Sequence, residues 1–127
     1  MAREDLPPET LLYRRIPAVC GWVRSDGRVD LAAFLPNKGD SDGLSLTRVL
    51  SEREAAESGK VGKRFYAVSL RVADLRARGL SVKCDSSGHA LIEGWTFETR
   101  QERHVREGAE YLITVCGKAV GPFDGKT

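Results

Sequence analysis

The sequence predicts one α+β domain built on a mostly antiparallel sheet with two or three short helices. Its 127 residues suit one buried core, since two independently folded domains would each be near the lower size limit for a stable core. Hydrophobic residues make up 41% and charged residues 30%, the balance of a chain that folds as a soluble globule. Short apolar runs typical of strands are mixed with short helical patterns, which favours α+β. We expect a single domain over residues 1–127, with a polar lead-in over 1–10 and a loose tail over 117–127.

The first half of the chain predicts strands separated by turns. Residues 11–16 form an apolar run that is typical of a strand and ends at Pro17. Asp26-Gly27 predicts a hairpin turn, because glycine tolerates the positive φ that such a turn needs. The segments that follow fit a strand or short helix over 29–35, a loop over 36–43 and a strand over 44–49.

Three helices are predicted from their ends. Ser51 and Glu54 have the spacing of a capping box, and Gly59 ends the short helix that they begin. A second helix over residues 72–78 stops at Gly79, where a left-handed cap is expected. A third runs over residues 98–110 behind a capping Thr96, and residues 111–116 fit either its last turn or a final strand.

The second half of the chain also predicts three strands. Residues 65–70 give the strongest strand pattern in the sequence. Residues 80–84 and 89–92 predict a hairpin around the turn at 85–88. Because the strands over 65–70 and 80–84 are the most apolar, we expect them to be central in the sheet.

The charge pattern argues against a dedicated nucleic-acid binder. Twenty basic and 18 acidic side chains leave a net charge of only +2. Arg100, Arg103 and Arg106 form a basic stripe on the predicted third helix, but glutamates interleave with them at ion-pair spacing. We therefore expect nucleic-acid binding to be weak and salt-sensitive. No apolar run suits a membrane span or a signal peptide, so a cytoplasmic location is expected.

The three cysteines indicate neither a disulfide framework nor a metal site. Cys20, Cys84 and Cys116 are far apart and contain no C-x-x-C pair. Each lies in an apolar run, so we expect reduced thiols, at least two of them mostly buried. The ligand spacings of zinc, the calcium-loop pattern and the Walker A phosphate loop are all incomplete, so no metal and no resident cofactor are predicted.

Polar residues on three predicted strands form the candidate site. Histidine is the side chain whose unperturbed pKa suits proton transfer near neutral pH, which singles out His89. We expect His89 to lie beside the first strand and to share a polar cleft with Tyr13 or Arg15. The candidate catalytic residues are Arg15, Ser45, His89 and Glu93, and the candidate ligand-binding residues are Tyr13, Arg14 and Thr47.

Four short motifs resemble a family of small uncharacterised bacterial proteins. They are Leu12-Tyr-Arg-Arg-Ile16, Ala32-Ala-Phe34, Asp42-Gly-Leu-Ser-Leu46 and His89-Ala-Leu-Ile92. In that family small hydroxyl residues often precede the Ala-Ala-Phe element, whereas this chain has Val29-Asp-Leu31 there. The resemblance spans roughly residues 11–95 and implies no activity.

A second resemblance is to ADP-ribosyltransferase-like folds. Arg15 is similar to the basic residue of their first strand, Ser45 and Thr47 to a later polar strand, and Glu93 to a late acidic residue. The resemblance implies that Arg15 binds the pyrophosphate of NAD and Ser45 the nicotinamide ribose. It also implies that Glu93 stabilises an oxocarbenium-like centre. Because a fold-level likeness does not establish a function, the function has to be argued from the residues of the site.

The sequence is compatible with three functions. The first is a small cytoplasmic binding or accessory module that acts with a protein partner, which fits a single domain with no complete catalytic motif. The alternative is an ADP-ribosyltransferase-like enzyme that uses NAD, and a weak nucleic-acid binder is a further alternative. The residues alone leave open whether the chain is an enzyme, and they give neither its oligomeric state nor its ligand.

Overall fold

The α+β prediction is confirmed by the computed structural model, which describes residues 6–127. It contains a six-stranded antiparallel sheet and three α-helices. In chain order these elements are β1 (Leu11–Pro17), β2 (Gly43–Thr47), α1 (Glu52–Glu57), β3 (Arg64–Arg71), α2 (Val72–Ala77), β4 (Val82–Ser86), β5 (His89–Glu93), α3 (Arg103–Val115) and β6 (Val120–Asp124). Short 3-10 helices add Ala18–Cys20, Leu31–Phe34 and Phe97–Thr99.

The sheet consists of two halves that meet at a single residue pair. Its strand order is β4-β5-β2-β1-β3-β6. β1 pairs with β3 along its whole length, and β2 pairs with β5 along its whole length. Between the halves, β1 and β2 are in register only at Tyr13 and Thr47. The two strands therefore diverge on one side of this pair, and other groups must satisfy the backbone there.

The main core lies on one face of the sheet. Alternate residues of β1, including Leu12 and Ile16, point to this face, as expected from the two-residue period of a strand. α3 covers it with a stripe of Val105, Ala109 and Leu112, and Phe34 of the 3-10 helix Leu31–Phe34 is fully buried beside it. The helical spacing of that stripe fixes the face that α3 turns to the sheet.

A smaller cluster covers part of the opposite face. Tyr13 packs there with Phe65 and Ala67 under the two buried alanines of α1, Ala55 and Ala56. α1 begins where the sequence predicts, because the Ser51 hydroxyl accepts a hydrogen bond from the Glu54 N–H. Only half of the predicted capping box forms, since the Glu54 carboxylate accepts from the N–H of Leu50, not from that of Ser51.

Several predicted elements lie where the sequence places them. β4 and β5 form the expected hairpin, and α2 is followed by Gly79 with a φ of 78°. Val23 and Val29 bridge across the expected turn at Asp26-Gly27. The ambiguous segment over 29–35 contains the 3-10 helix Leu31–Phe34. Among residues 6–127, no helix has the length and hydropathy needed to cross a membrane.

Both predicted chain ends differ from the structure. Residues 120–124 are not a loose tail but form β6, which pairs with β3 and completes the sheet edge. Five residues of the predicted lead-in, 1–5, lie outside the described part of the chain. In the rest of it residues 7–9 are exposed, but Leu6 is buried, and the carbonyls of Pro8 and Thr10 accept hydrogen bonds from the first amides of α2. Such contacts satisfy amides that a helix start leaves without intrahelical partners.

Two internal predictions are wrong. The strand over 80–84 was expected to be central, but β4 is an edge strand, at the end of the strand order beside β5. The third helix was expected over 98–110, but α3 is Arg103–Val115. Thr96 instead caps the 3-10 helix Phe97–Thr99. At its other end α3 continues to Val115, which confirms the helical alternative for residues 111–115, because Leu112 continues the apolar stripe into the core.

The cysteines are free thiols, and they are less buried than their apolar runs suggest. Cys20 is exposed, whereas Cys84 and Cys116 are half-buried. Burial raises the pKa of the Cys116 thiol, which lowers the fraction present as reactive thiolate.

We expect Cys20 to react first with a chromogenic thiol reagent and Cys116 to react more slowly. Loss of the fast phase in Cys20→Ser checks this assignment, and a fast phase that survives contradicts it.

Gly108 allows α3 to pack against Trp95. A β-carbon at Gly108 would collide with the Trp95 ring. On an exposed helix, Gly→Ala stabilises by about 1 kcal/mol, but overpacking a core costs about 1–3 kcal/mol. We therefore expect Gly108→Ala to lower the free energy of unfolding, measured in urea. Glu110→Ala on the exposed side of α3 is the control and should change it little. A stabilised Gly108→Ala would show that the Trp95 contact is not tight.

Candidate functional site

A polar cleft opens where β1 and β2 diverge. Its volume is about 300 Å³, at the lower end of the range for small-molecule sites. Its walls come from β1, from the loop before β2, from β2 itself and from the first residues of β3 and β5. The residues that line this β1–β2 cleft are Arg14, Arg15, Pro17, Asn37, Gly39, Asp40, Ser45, Thr47, Phe65 and His89.

The floor of the cleft is a buried ion pair between Arg14 and Asp40. Arg14 Nη2 and Asp40 Oδ2 are 3.4 Å apart, and the two side chains are only 6% and 2% exposed. Arg14 also donates to two backbone carbonyls at 3.0 Å, from Nε to Ala33 and from Nη1 to Ser45. The fork of a guanidinium suits this task, since its donors point in fixed directions.

Asp40 satisfies the backbone on the other side of the gap. Its carboxylate accepts from the Ser45 N–H at 2.9 Å and from the Asn37 N–H at 2.8 Å. Together with Arg14, it thus bonds both backbone groups of Ser45, where a neighbouring strand would otherwise lie. Burial lowers the pKa of Arg14, and the Asp40 carboxylate acts in the opposite direction by favouring the charged guanidinium.

Arg15 is a cation of the cleft that has no carboxylate partner among the described residues. It donates to the Ser58 hydroxyl at 2.8 Å, and its guanidinium lies 5.3 Å from the centre of the Phe65 ring. Within residues 6–127, no acidic group forms an ion pair with it. Burial, and then the charge of Arg14, lower the pKa of Arg15. A half-buried charge in this position favours an anionic ligand.

β2 and β5 supply the opposite wall. Ser45 and Thr47 alternate along β2 and point to the cleft side, while Thr47 is directly opposite His89 in the β2–β5 ladder. His89 opens β5, and its ring is fixed by a 2.6 Å contact between Nδ1 and Asp85 Oδ1. The cleft therefore combines cationic, hydroxyl and imidazole groups.

Five of the seven sequence-predicted site residues line this cleft, and two lie elsewhere. Those that line it are Arg14, Arg15, Ser45, Thr47 and His89. Tyr13 is instead buried under α1, where burial and the charges of Glu52 and Glu54 raise its pKa. Glu93 ends β5 at the position opposite Gly43, away from the cleft lining, and its carboxylate accepts a hydrogen bond from Ser81. The structure thus places His89 in a cleft with Arg15, not with Tyr13, and the strand beside β5 is β2.

The sequence did not identify Asp40, the acidic partner in the buried ion pair at the floor of the cleft. Asp40 lies in the loop over 36–43, where aspartates are typical turn residues, so no local pattern distinguishes it. Asn37 lines the cleft from the same loop, and Phe65 was predicted only as part of a strand. The burial of Arg14 could not be predicted either, because nothing in the sequence shows that β1 and β2 diverge at this point.

A larger cavity lies on another part of the molecule, but its arginines are already paired and its lysine, Lys118, is exposed. It has a volume of about 500 Å³ and lies between the turn at residues 24–31 and the C-terminal end of α3. Its arginines, Arg24 and Arg28, form ion pairs with Asp30 and Asp26. The β1–β2 cleft is the better candidate, because it contains a half-buried cation without a carboxylate.

No group of three or more His, Cys, Asp or Glu in residues 6–127 is arranged to hold a metal ion. Comparisons with protein-family models, with curated proteins and with solved structures find no match for this chain. The site is therefore interpreted from its own geometry and chemistry.

The buried pair offers a direct stability test. Removing one partner of a buried ion pair leaves the other charge uncompensated and costs about 3–5 kcal/mol. We expect Arg14→Met to lower the free energy of unfolding by about that amount, measured in urea. The matched control is Arg24→Met, which breaks an exposed Arg–Asp pair and should cost at most about 1 kcal/mol. Equal losses in the two variants would contradict the role given to Arg14.

Proposed function

We propose that this chain is a non-catalytic binding module whose β1–β2 cleft takes an oxyanion of a small ligand. Arg15 is the group that receives the anion. The observation that carries the proposal is the half-buried guanidinium of Arg15, which contacts a hydroxyl and an aromatic ring but no carboxylate of residues 6–127. A phosphate or carboxylate would supply the missing charge and accept the remaining guanidinium hydrogens.

The neighbouring arginine strengthens this preference. Arg14 lies on the floor with its charge compensated by Asp40, so it is held in place whether or not a ligand is bound. Arg15 follows it in the chain and has no such compensation. Charge-assisted hydrogen bonds are about twice as strong as neutral ones, and a low local dielectric increases their strength. An anion at Arg15 therefore gains more than it would on an open surface.

The other cleft residues suit a ligand that is polar beyond its anion. Ser45 and Thr47 offer hydroxyls that donate or accept, and Asn37 lies on the loop side of the cleft. A few convergent polar groups in a concave site fix the orientation of a small ligand. The cleft is open to solvent, which allows such a ligand to enter without rearrangement of the strands.

The geometry favours this proposal over an NAD-dependent transferase. That alternative needs Glu93 beside Arg15 and Ser45, to stabilise an oxocarbenium-like centre. Arg15 and Ser45 do line one cleft, but Glu93 is outside the lining and bonds Ser81. A binding role uses only the residues that the cleft brings together.

Two further parts of the proposal come from the sequence. One is a cytoplasmic location, which three free thiols fit, since reduced cysteines are the rule in reducing compartments. The other is a protein partner. We propose it because a domain that binds a ligand without converting it has an effect only through a second protein that responds to the bound state.

The test is a titration with inorganic phosphate followed by amide NMR at about pH 7. We expect saturable shifts at Arg15, Ser45, Thr47 and His89, and at least about tenfold weaker binding in Arg15→Gln, a loss of the size expected for a charge-assisted contact. Arg103→Gln removes the same charge from an exposed position on α3 and should bind as the wild type does. Unchanged affinity in Arg15→Gln, or no saturable shift in the wild type, would overturn the proposal.

A further inference from the structure

Asn37 brings a side-chain amide to the β1–β2 cleft, and the loop over 36–43 fixes its orientation. The amide oxygen, Oδ1, accepts a hydrogen bond from the Gly39 N–H at 2.9 Å. Because an N–H needs an acceptor, the oxygen faces Gly39 and the nitrogen, Nδ2, lies on the other side of the amide group. Within residues 6–127, no hydrogen bond joins Nδ2 to another group. Asn37 therefore has two N–H donors that the loop does not use.

The backbone of this turn is held as firmly as the amide. The Asn37 N–H donates to Asp40 Oδ2 at 2.8 Å, and the Asp40 N–H donates to the Asn37 carbonyl at 2.9 Å. Asp40 is itself anchored by the buried pair with Arg14. The amide thus keeps its orientation before a ligand arrives, and a donor that is already ordered loses little entropy on binding.

The side-chain acceptors of the same loop are already occupied. The Asp40 carboxylate accepts three hydrogen bonds and is only 2% exposed. Asn37 Oδ1 is taken by the Gly39 N–H. The side-chain groups that can still accept are the hydroxyls and the imidazole of the opposite wall, on β2 and β5. A ligand amine beside the loop would therefore meet donors and no free side-chain acceptor.

The charges of the cleft favour a second polar group that is neutral. In the lining, the Arg14–Asp40 pair cancels and Arg15 leaves one positive charge. The Asp85 carboxylate is not part of the lining, but it contacts the His89 ring at 2.6 Å and adds a negative charge on that side. An oxyanion at Arg15 uses the one positive charge, so a second anion would have no cation to attract it.

From this arrangement we propose that Asn37 is a specificity-determining residue, which donates from Nδ2 to a carbonyl oxygen of the ligand while Arg15 binds its oxyanion. The ligand then belongs to the oxo and acyl acids, and amino acids are rejected. A carbonyl oxygen fits because it is neutral and only accepts hydrogen bonds, whereas an ammonium group only donates them. This role rests on the proposed oxyanion site and adds to it the class of the second polar group of the ligand.

NMR observes the Asn37 side chain directly in the wild type. The sequence contains one asparagine and one glutamine, Gln101, so the side-chain amide region of an N–H correlation spectrum holds two NH2 pairs. Gln101 is exposed and outside the cleft lining, which makes it an internal control. On titration with an oxo acid at neutral pH, we expect saturable shifts of the Asn37 pair and none of the Gln101 pair.

Matched acids isolate the contribution of the carbonyl. Propionate, pyruvate and alanine share a carboxylate and differ at the next carbon, which is a methylene, a carbonyl or an ammonium-bearing carbon. Pentanoate and levulinate form a longer pair, in which the carbonyl lies two methylene groups from the carboxylate. In at least one pair the oxo acid should bind about fivefold more tightly than the plain acid, the gain expected from one neutral hydrogen bond. Alanine should bind more weakly than propionate.

Asn37→Asp removes the donor and keeps the turn. Its carboxylate accepts from the Gly39 N–H as the amide oxygen does, and an unchanged Gly39 amide signal shows that the turn is intact. The preference for the oxo acid should be lost in this variant. Lys38→Gln is the matched control, because it changes the net charge equally at an exposed neighbour outside the cleft lining. It should keep the preference.

The outcomes separate this role from the oxyanion site itself. If neither oxo acid binds more tightly than its plain counterpart, or if the Asn37 NH2 pair does not shift, the role of Asn37 is overturned and the Arg15 site stands. If phosphate and all of these acids fail to bind, the oxyanion site fails. A preference for the oxo acid that survives in Asn37→Asp also overturns the role of Asn37.

Discussion

The sheet of this protein depends on a buried ion pair that replaces a stretch of strand pairing. β1 and β2 are in register at one residue pair, and beyond it the backbone of Ser45 is not paired with β1. The Arg14 guanidinium bonds the Ser45 carbonyl, and the Asp40 carboxylate bonds the Ser45 amide. A buried backbone group without a partner costs about 1–3 kcal/mol, so the divergence of the strands is tolerated only because these side chains fill the gap.

The same arrangement creates the candidate site. Continuous pairing of β1 and β2 would close the gap, and the polar residues on either side would have no cleft to line. With the gap held open, Arg15 follows the buried arginine along β1, and Ser45, Thr47 and His89 face it from the other half of the sheet. The side chains that stabilise the fold and those available to a ligand are therefore neighbours in sequence with different roles. Arg14 is committed to the backbone, and Arg15 is not.

The features of the protein that are predictable from sequence are those set by local chemistry. The capping serine at 51, the hairpin between β4 and β5 and the left-handed Gly79 follow from residue type and spacing. Five of the candidate residues also line one cleft, as expected of polar groups that interrupt apolar strands and need partners. Strand order was not predictable: β4 looked central by hydropathy but is an edge strand, and β6 has a Gly-Pro sequence typical of loops. Asp40 was missed because its partner is 26 residues away in the chain.

The Asp40 carboxylate, anchored by Arg14, holds the backbone of the gap in place of a strand. Amide hydrogen exchange tests it at two positions, the N–H groups of Asn37 and Ser45, which donate to that carboxylate. We predict that both are protected in the wild type and lose protection in Asp40→Ala, while β1 amides paired with β3 stay protected. Rapid exchange of both amides in the wild type, or unchanged protection in Asp40→Ala, would contradict the account.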